Sequence, residues 1–299
     1  MANSNGWGDG ASNNTIGWGQ GANNLIGWGI SHLLSWAGLT DIIGTSTPAP
    51  VSDTDAQAFL TNAVITDTTQ RNAINTLVIG LKADSLWTSM LAIYPFVGNT
   101  STQQRFNLKD TLTFKMTFAG GWIHSSNGAL PDGSTSYADT GFTPSTSWVT
   151  LGNSSISAYS RTNNVNAGVL WGTKGANSNT NLHPLLITGG TTSIFHNTNN
   201  AQIPSPVPTT SAINLITSRI NTANLIIAVN GTATSYVKTE LALSTRPIYL
   251  GAQNNNGVTA LYSNRQLAFA HIGTGLTSAE CTLLYNRIQT FQTTLGRQV

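Results

Sequence analysis

The sequence predicts a mainly β protein: a two-sheet sandwich preceded by short helices and closed by a C-terminal helix. Three observations carry this. From Asn107 onward the chain breaks into short runs such as GGWIHSSNG, SWVTLGNSSISAYS, AGVLWG, LHPLLITGG and TTSIFH, each ended by Gly, Asn or Pro. Strand-like runs about 8–12 residues apart mark a sandwich or barrel rather than a parallel α/β sheet. Second, Asn230-Gly231 joins the apolar run LIIAV (225–229) to the alternating run TATSYV (232–237). An Asn-Gly pair between two such runs marks a tight hairpin, because both turn residues accept positive φ. Third, a TSAE capping box opens an apolar stripe of Leu283, Leu284, Ile288, Phe291 and Leu295 that stops at Gly296, the signature of one good helix at the end.

The elements follow in order. Residues 48–52 form a Pro-punctuated linker, and residues 53–99 a short helical segment. Ala56, Phe59, Leu60 and Ala63 fit one helix, and Ile74, Leu77, Val78 and Leu81 fit a second behind a Thr66 or Asp67 cap. A third short helical turn is expected from Ser85 to Ile93, ending at Tyr94-Pro95. Residues 100–299 hold the sandwich and the last helix, with strand expectations beginning in the alternating run 113–118. LIIAV is apolar on both faces, so it is expected centrally with cover on each side, with Ile226 and Val229 in the sandwich interior. Pro247, which cannot donate to a ladder, suits the start of a strand at Ile248-Tyr249-Leu250.

Composition bounds the function classes. Charged residues make up 8% of the 299, against about 25% in ordinary globular proteins. Asn, Thr, Ser and Gly take their place, and a formal net charge of +2 gives no steering field for nucleic acid or anionic membrane. Cys281 is single, which excludes intrachain disulfides and thiolate clusters and reads as a small buried apolar residue. No run approaches the roughly 20 apolar residues of a membrane helix, and the Met1 end has no signal-peptide pattern. The expectation is a protein made in the cytoplasm and not exported through a signal peptide.

Residues 1–47 read as a repeat: GWGDGASNNTI-GWGQGANNLI-GWG, with Trp7, Trp18, Trp28 and then Trp36. Glycines such as Gly17 and Gly19 on both sides of each Trp argue against a helix. Each unit reads as a tight turn presenting one indole, and Trp is the residue most enriched at interface hot spots. The arm is expected to be an anchor that docks on a partner; a flexible Gly/Asn tail is the alternative.

Three stretches then resemble a known group. They are NTLVIGLKADSLWTSMLAIYPFVGNT (75–100), FAGGWIHSSNGALPDGSTSYADTGFTPS (118–145), and the C-terminal LGAQNNNGVTALYSNRQLAFAHIGTGLTSAECTLLYNRIQTFQTTLGRQV (250–299). Together they resemble bacteriophage virion proteins, tail- or head-fibre proteins with a laminin-G/concanavalin-like jelly roll, as in crAss-like and other Bacteroidetes phages. The resemblance runs from about residue 53 to the C-terminus. It implies a structural protein on the particle surface, attached to capsid, portal or tail proteins through residues 1–47 and displaying a lectin-like jelly roll. By the same resemblance a homo-oligomer is expected, a trimer with the helices of 53–93 near its axis.

Catalytic chemistry is sparse. Retaining glycoside cleavage needs two carboxyls about 5–5.5 Å apart, and the chain has two Glu, Glu240 and Glu280, the second inside the helix cap. Asp132 reads as a turn residue before Gly133, and Asp139 as solvated. His124, His183, His196 and His271 are scattered without metal-ligand spacing. The expectation is a non-enzyme with no catalytic residue, metal or cofactor. If the sandwich contacts host glycan, Trp122, Tyr137, Trp148 and Trp171 are the candidate residues, each also suited to the core of a sandwich. A carbohydrate-binding module without a particle-building role is the alternative function.

Overall fold

The computed structural model describes residues 48–162, 168–186, 192–199 and 212–298; the arm with Trp7, Gly17, Trp18, Gly19, Trp28 and Trp36 lies outside them. In chain order the helices are α1 (Thr54–Asn62), α2 (Thr68–Ala83), α3 (Ser101–Gln104), α4 (Pro144–Ser147) and α5 (Ser278–Thr294). The first strands are β1 (Met90–Tyr94), β2 (Thr117–Ala119), β3 (Ile123–Ser125), β4 (Gly128–Leu130), β5 (Tyr137–Asp139) and β6 (Ser154–Ser160). Next come β7 (Gly168–Val169), β8 (Trp171–Lys174), β9 (Leu182–Leu186), β10 (Ser193–His196) and β11 (Ile213–Arg219). The rest are β12 (Asn224–Val229), β13 (Thr232–Val237), β14 (Tyr249–Leu250), β15 (Gln253–Asn255), β16 (Val258–Ala260) and β17 (Leu267–Gly273).

These strands form the two sheets of a jelly-roll sandwich. The first runs β13-β12-β11-β6-β17-β4-β3, with β1 also paired to β17. The second runs β10-β9-β8-β14-β5-β2, with β15 on β8 and carrying β16, and β7 on β9. Between the sheets lies a core that includes Ile156, Trp171, Leu215, Leu225, Ile227, Leu250 and Ile272. A second core lies on the opposite face of the first sheet, where Ile216, Ile226, Ala228 and Phe269 meet Phe59, Leu77 and Leu81 of α1 and α2 and Leu284, Ile288 and Phe291 of α5. The molecule is therefore layered as helices, sheet, sheet. Its middle layer explains why β6, β11 and β17 are buried along all seven residues each.

That layering accounts for the doubly apolar arm. In β12, Leu225 and Ile227 face the inter-sheet core while Ile226 and Ala228 face the helices. Ile226 thus sits under the helix layer instead of in the sandwich interior, and half-buried Val229 packs against the inter-sheet core. β12 is covered on both faces as expected, yet it is second from the edge and not central. Asn230 (φ 46°) and Gly231 (φ 84°) make the turn into β13.

Three local expectations are corrected. The expected third helix is a single 3-10 turn, Trp87–Ser89, followed by β1. MLAIY pairs antiparallel with β17 and is almost wholly buried, so tertiary pairing overrides a short apolar run that reads either way. The expected strand at 113–118 shrinks to β2, because Asp110 caps a turn by accepting from Leu112 N (2.9 Å) and Thr113 Oγ1 (2.9 Å). Leu283 is 40% exposed and lies off the buried stripe of α5. Of the expected caps, Asp67 and the Thr277/Glu280 capping box receive backbone N–H groups of the first turns of α2 and α5, and Asp53 does the same for α1.

Candidate functional site

The outer face of the second sheet carries the most suggestive arrangement. Pleating alternates β5 so that Ala138 is buried while Tyr137 and Asp139 are half-buried on the other face. In β14, Leu250 points inward and Tyr249 is half-buried. The register places Tyr249 opposite Asp139 on one side and Gly172 on the other, with Thr117 of β2 beyond Asp139. Tyr137 and Tyr249 are then diagonal neighbours on one face, and their rings stack with centroids 4.5 Å apart and planes 20° off parallel.

Charge flanks this pair. Burial pushes the Asp139 carboxyl above its ordinary pKa, opposed by the Gly141 N–H it accepts at 2.8 Å. This corrects the expectation of a solvated aspartate. The Tyr249 hydroxyl is raised by burial first, then by the charge of Asp139 and by Tyr137, with Arg246 pulling the other way. Arg246 is exposed and its Nε donates to Asn256 Oδ1 at 3.1 Å. Two phenols, an acceptor and a forked donor on one exposed sheet face provide aromatic surface ringed by hydrogen-bonding groups, which suits a ligand with an apolar face and hydroxyl edges.

Of the four aromatic candidates, the structure brings together two. Trp122 is half-buried beside Tyr137, donating from Nε1 to the Tyr137 carbonyl at 3.1 Å and packed edge-to-face with Phe118, ring centroids 5.3 Å apart. Its ring lies over Gly251, where a Cβ would come within 2.8 Å of Cη2. Trp122 therefore supports the strand that carries Tyr137. Trp148 and Trp171 are 6% and 0% exposed and belong to the inter-sheet core. Trp171 points inward from β8, and Trp148 follows α4 with Nε1 bonded to the Gly273 carbonyl at 2.8 Å; neither is available at the surface. Tyr249, Asp139 and Arg246 complete the face and were not singled out as ligand-binding residues from sequence. The signal for Tyr249 was the alternation of Ile248-Tyr249-Leu250, which turns the phenol away from its two apolar neighbours.

The histidines and acidic residues considered from sequence are engaged in the fold. His271 lies between Ser155 and Ser157, His196 between Ser154 and Thr217, while His183 contacts Gln253 and His124 contacts Gln104. No group of three His, Cys, Asp or Glu side chains with metal-site geometry occurs among the described residues. Asp132 Oδ1 gathers the N–H groups of Ser134, Thr135 and Ser136 at 2.8–2.9 Å, as a loop organiser. Glu240, 4% exposed, accepts from Asn197 Nδ2 at 2.7 Å and from Gly152 N beside the buried Arg219. Cys281 is buried in α5, its thiol pushed up to about 12 by burial and then by Glu280.

No protein-family model matches the chain, and no curated protein matches it. Among solved structures it is similar to a mutant sialidase of Trypanosoma rangeli displaying trans-sialidase activity, with 10% identity, a TM-score of 0.49, and coverage of 73% of this chain and 39% of that one. It is also similar to domain 4 of an extracellular arabinanase from Geobacillus stearothermophilus in complex with arabinotriose (15%, TM-score 0.46, 66% and 98% covered). A third is the carbohydrate-binding domain of a Ruminococcus gnavus sialidase bound to sialyllactose (14%, TM-score 0.37, 49% and 92%). The chain spans about two fifths of the length of the sialidase it matches. These likenesses correct the expectation of a non-enzyme: sialidases and an arabinanase, both sugar-cleaving enzymes, stand among the similar structures, so that assignment is dropped. Identities this low concern fold and assign no reaction.

Proposed function

We propose that this chain is a structural protein of a phage particle, a tail- or head-fibre or decoration component, held by its N-terminal arm and presenting a sandwich that binds host-surface glycan. The observation that carries the glycan half is the stacked, half-exposed Tyr137–Tyr249 pair beside Asp139 and Arg246 on the outer sheet face. The virion half rests on the three stretches that resemble phage fibre proteins and on the Gly-Trp-Gly array, whose indoles suit pockets on capsid, portal or tail proteins. A trimer on the particle surface is part of this reading.

Glycan arrays probed with the full chain test the first half. Tyr249→Ala is expected to reduce retention about tenfold or more while leaving the melting temperature near wild type, since the ring contributes contact area at a half-exposed site. Unchanged retention removes the tyrosine face from consideration. For the second half, particles assembled with Trp18→Ala should carry fewer copies of a well-folded protein, a loss of about 2 kcal/mol or more in attachment. Wild-type loading would make the array a passive tail, and a monomer mass by light scattering at micromolar concentration would remove the trimer.

A further inference from the structure

A groove lies beside the helical segment, away from the tyrosine face. The groove, of about 520 Å³, is lined by Val64, Thr102, Gln103, Arg105, Phe106 and Lys115 among others, and no carboxylate lines it. Arg105 Nε is buried and has no hydrogen-bond partner. Among the described residues the ion pairs are those of Lys82 with Asp53 and Asp55 and of Arg287 with Asp84, so Arg105 and Lys115 line the groove without an ion-pair partner. Lys115 Nζ is held 4.6 Å from the centroid of the Phe106 ring. In a chain with so few charges, two uncompensated cations in one groove, one with a desolvated and unsatisfied N–H, make a site waiting for an anion.

The groove wall carries a second sign. Val64 follows the C-cap of α1, where Gly or Asn is the relaxed choice. It has φ 54° and is 64% exposed. A β-branched residue at positive φ is strained, and here the strain places an isopropyl group on the wall of a cationic groove without burying it. Strain retained at a surface recess is a pointer to binding. A smaller recess of about 170 Å³ shares Thr102 and Arg105 and reaches Thr117, which pairs with Asp139 at the tyrosine face.

We infer that this groove binds an acidic sugar residue, with its carboxylate between Arg105 and Lys115 and an apolar ring face against Val64. This goes beyond the proposed glycan face and does not depend on Tyr137 or Tyr249. The test is a calorimetric titration of the full chain at low salt with glucuronate, glucose, acetate and inorganic phosphate. Glucuronate should bind at least about tenfold more tightly than glucose, because a site built to bond a group rejects the analogue that lacks it. Arg105→Gln, whose side chain makes no hydrogen bond to be lost in the fold, should abolish that preference at an unchanged melting temperature. Val64→Gly relieves the backbone and should melt no lower than wild type while weakening glucuronate more than acetate. Equal binding of glucose overturns the proposal. So does equal binding of acetate or phosphate with Val64→Gly silent, which would mean a general anion site. Arg105→Gln should leave neutral-glycan retention on the array as it was, so failure of the tyrosine-face reading and of this one are read separately; a fall in that retention overturns the groove as an independent site.

Discussion

Arg297 is a fully buried cation with no ion-pair partner among the described residues, and its environment shows how single residues tie this fold together. Its Nε donates to Gln292 Oε1 (2.6 Å), Nη1 to the carbonyls of Phe96 and Ser126, and Nη2 to those of Pro95 and Ala268. Burial, then the charge of Arg161, pulls its pKa down to about 9, so the guanidinium is still charged at neutral pH. The carbonyls come from AIYPFVG, from the loop after β3 and from β17, and Arg297 itself from TTLGR. Residues from 75–100, 118–145 and 250–299 therefore meet at this one side chain. Arg297→Ala should cost about 3–5 kcal/mol in urea denaturation, because it leaves several buried carbonyls without a donor. Arg297→Lys should recover little of that, since an ammonium lacks the planar fork. A lysine variant as stable as wild type would mean that charge and not geometry matters here. None of this was legible in the sequence, where an arginine just after a helix reads as an ordinary partner of the helix C-terminus.

Elements with a local cause were legible, and those decided by tertiary pairing were not. The Asn230-Gly231 hairpin and the capping box of α5 depend on positive φ and on two reciprocal hydrogen bonds, so a few residues suffice to read them. β1 depends on β17, far along the chain, and its apolar run carries no period that separates strand from helix. The candidate face shows the same division. Trp122 and Tyr137 were readable as large aromatics, but burial of Trp148 and Trp171 depends on which way each strand turns, and Tyr249 joins Tyr137 only through the register of β14 on β5. The hairpin gives an element-scale prediction because its turn also touches α5. Thr282 Oγ1 donates to the Gly231 carbonyl at 2.9 Å, and a Cβ on Gly231 would come within 2.5 Å of Tyr285 Cδ1. Gly231→Ala should lower stability by about 1–3 kcal/mol through overpacking at a strained φ. Tyr285→Ala in the same background should recover part of the loss in a double-mutant cycle. Additive losses would place the whole effect in the backbone.

At the scale of the whole molecule, the buried histidines set the response to acid. Burial holds His183 down to about 4, His271 down to about 3 and His196 well below its ordinary value, with Lys174 and Arg219 adding to the effect at His183 and His196. All three lie inside the sandwich strands, bonded as neutral rings to Gln253, Ser155, Ser157, Ser154 and Thr217. In the unfolded chain each titrates near 6.5. A folded-state pKa below the unfolded one means the unfolded chain binds more protons in acid, so stability is complete above about pH 6.5 and falls as pH drops towards 4 and 3. Each such histidine contributes a slope of about 1.4 kcal/mol per pH unit inside that window, so three acting together give about 4 kcal/mol per unit. Glu240 and Asp139 oppose this, because burial raises their carboxyls and favours the protonated folded form. The paired carboxylates act in the same direction as the histidines but lower. Asp84, held down first by its bond to Arg287, loses its contribution only as pH falls below the ordinary carboxylate range. Thermal melts of the full chain should therefore be flat from pH 8 to about 6.5 and drop steeply from about 6 to 4, before the aspartates titrate. His271→Gln, which keeps a neutral hydrogen-bonding side chain between Ser155 and Ser157, should lower stability at neutral pH and reduce the acid slope by about a third. A melting curve flat to about pH 4.5 and falling only below it would assign the acid response to the carboxylates, and the histidine account would be wrong.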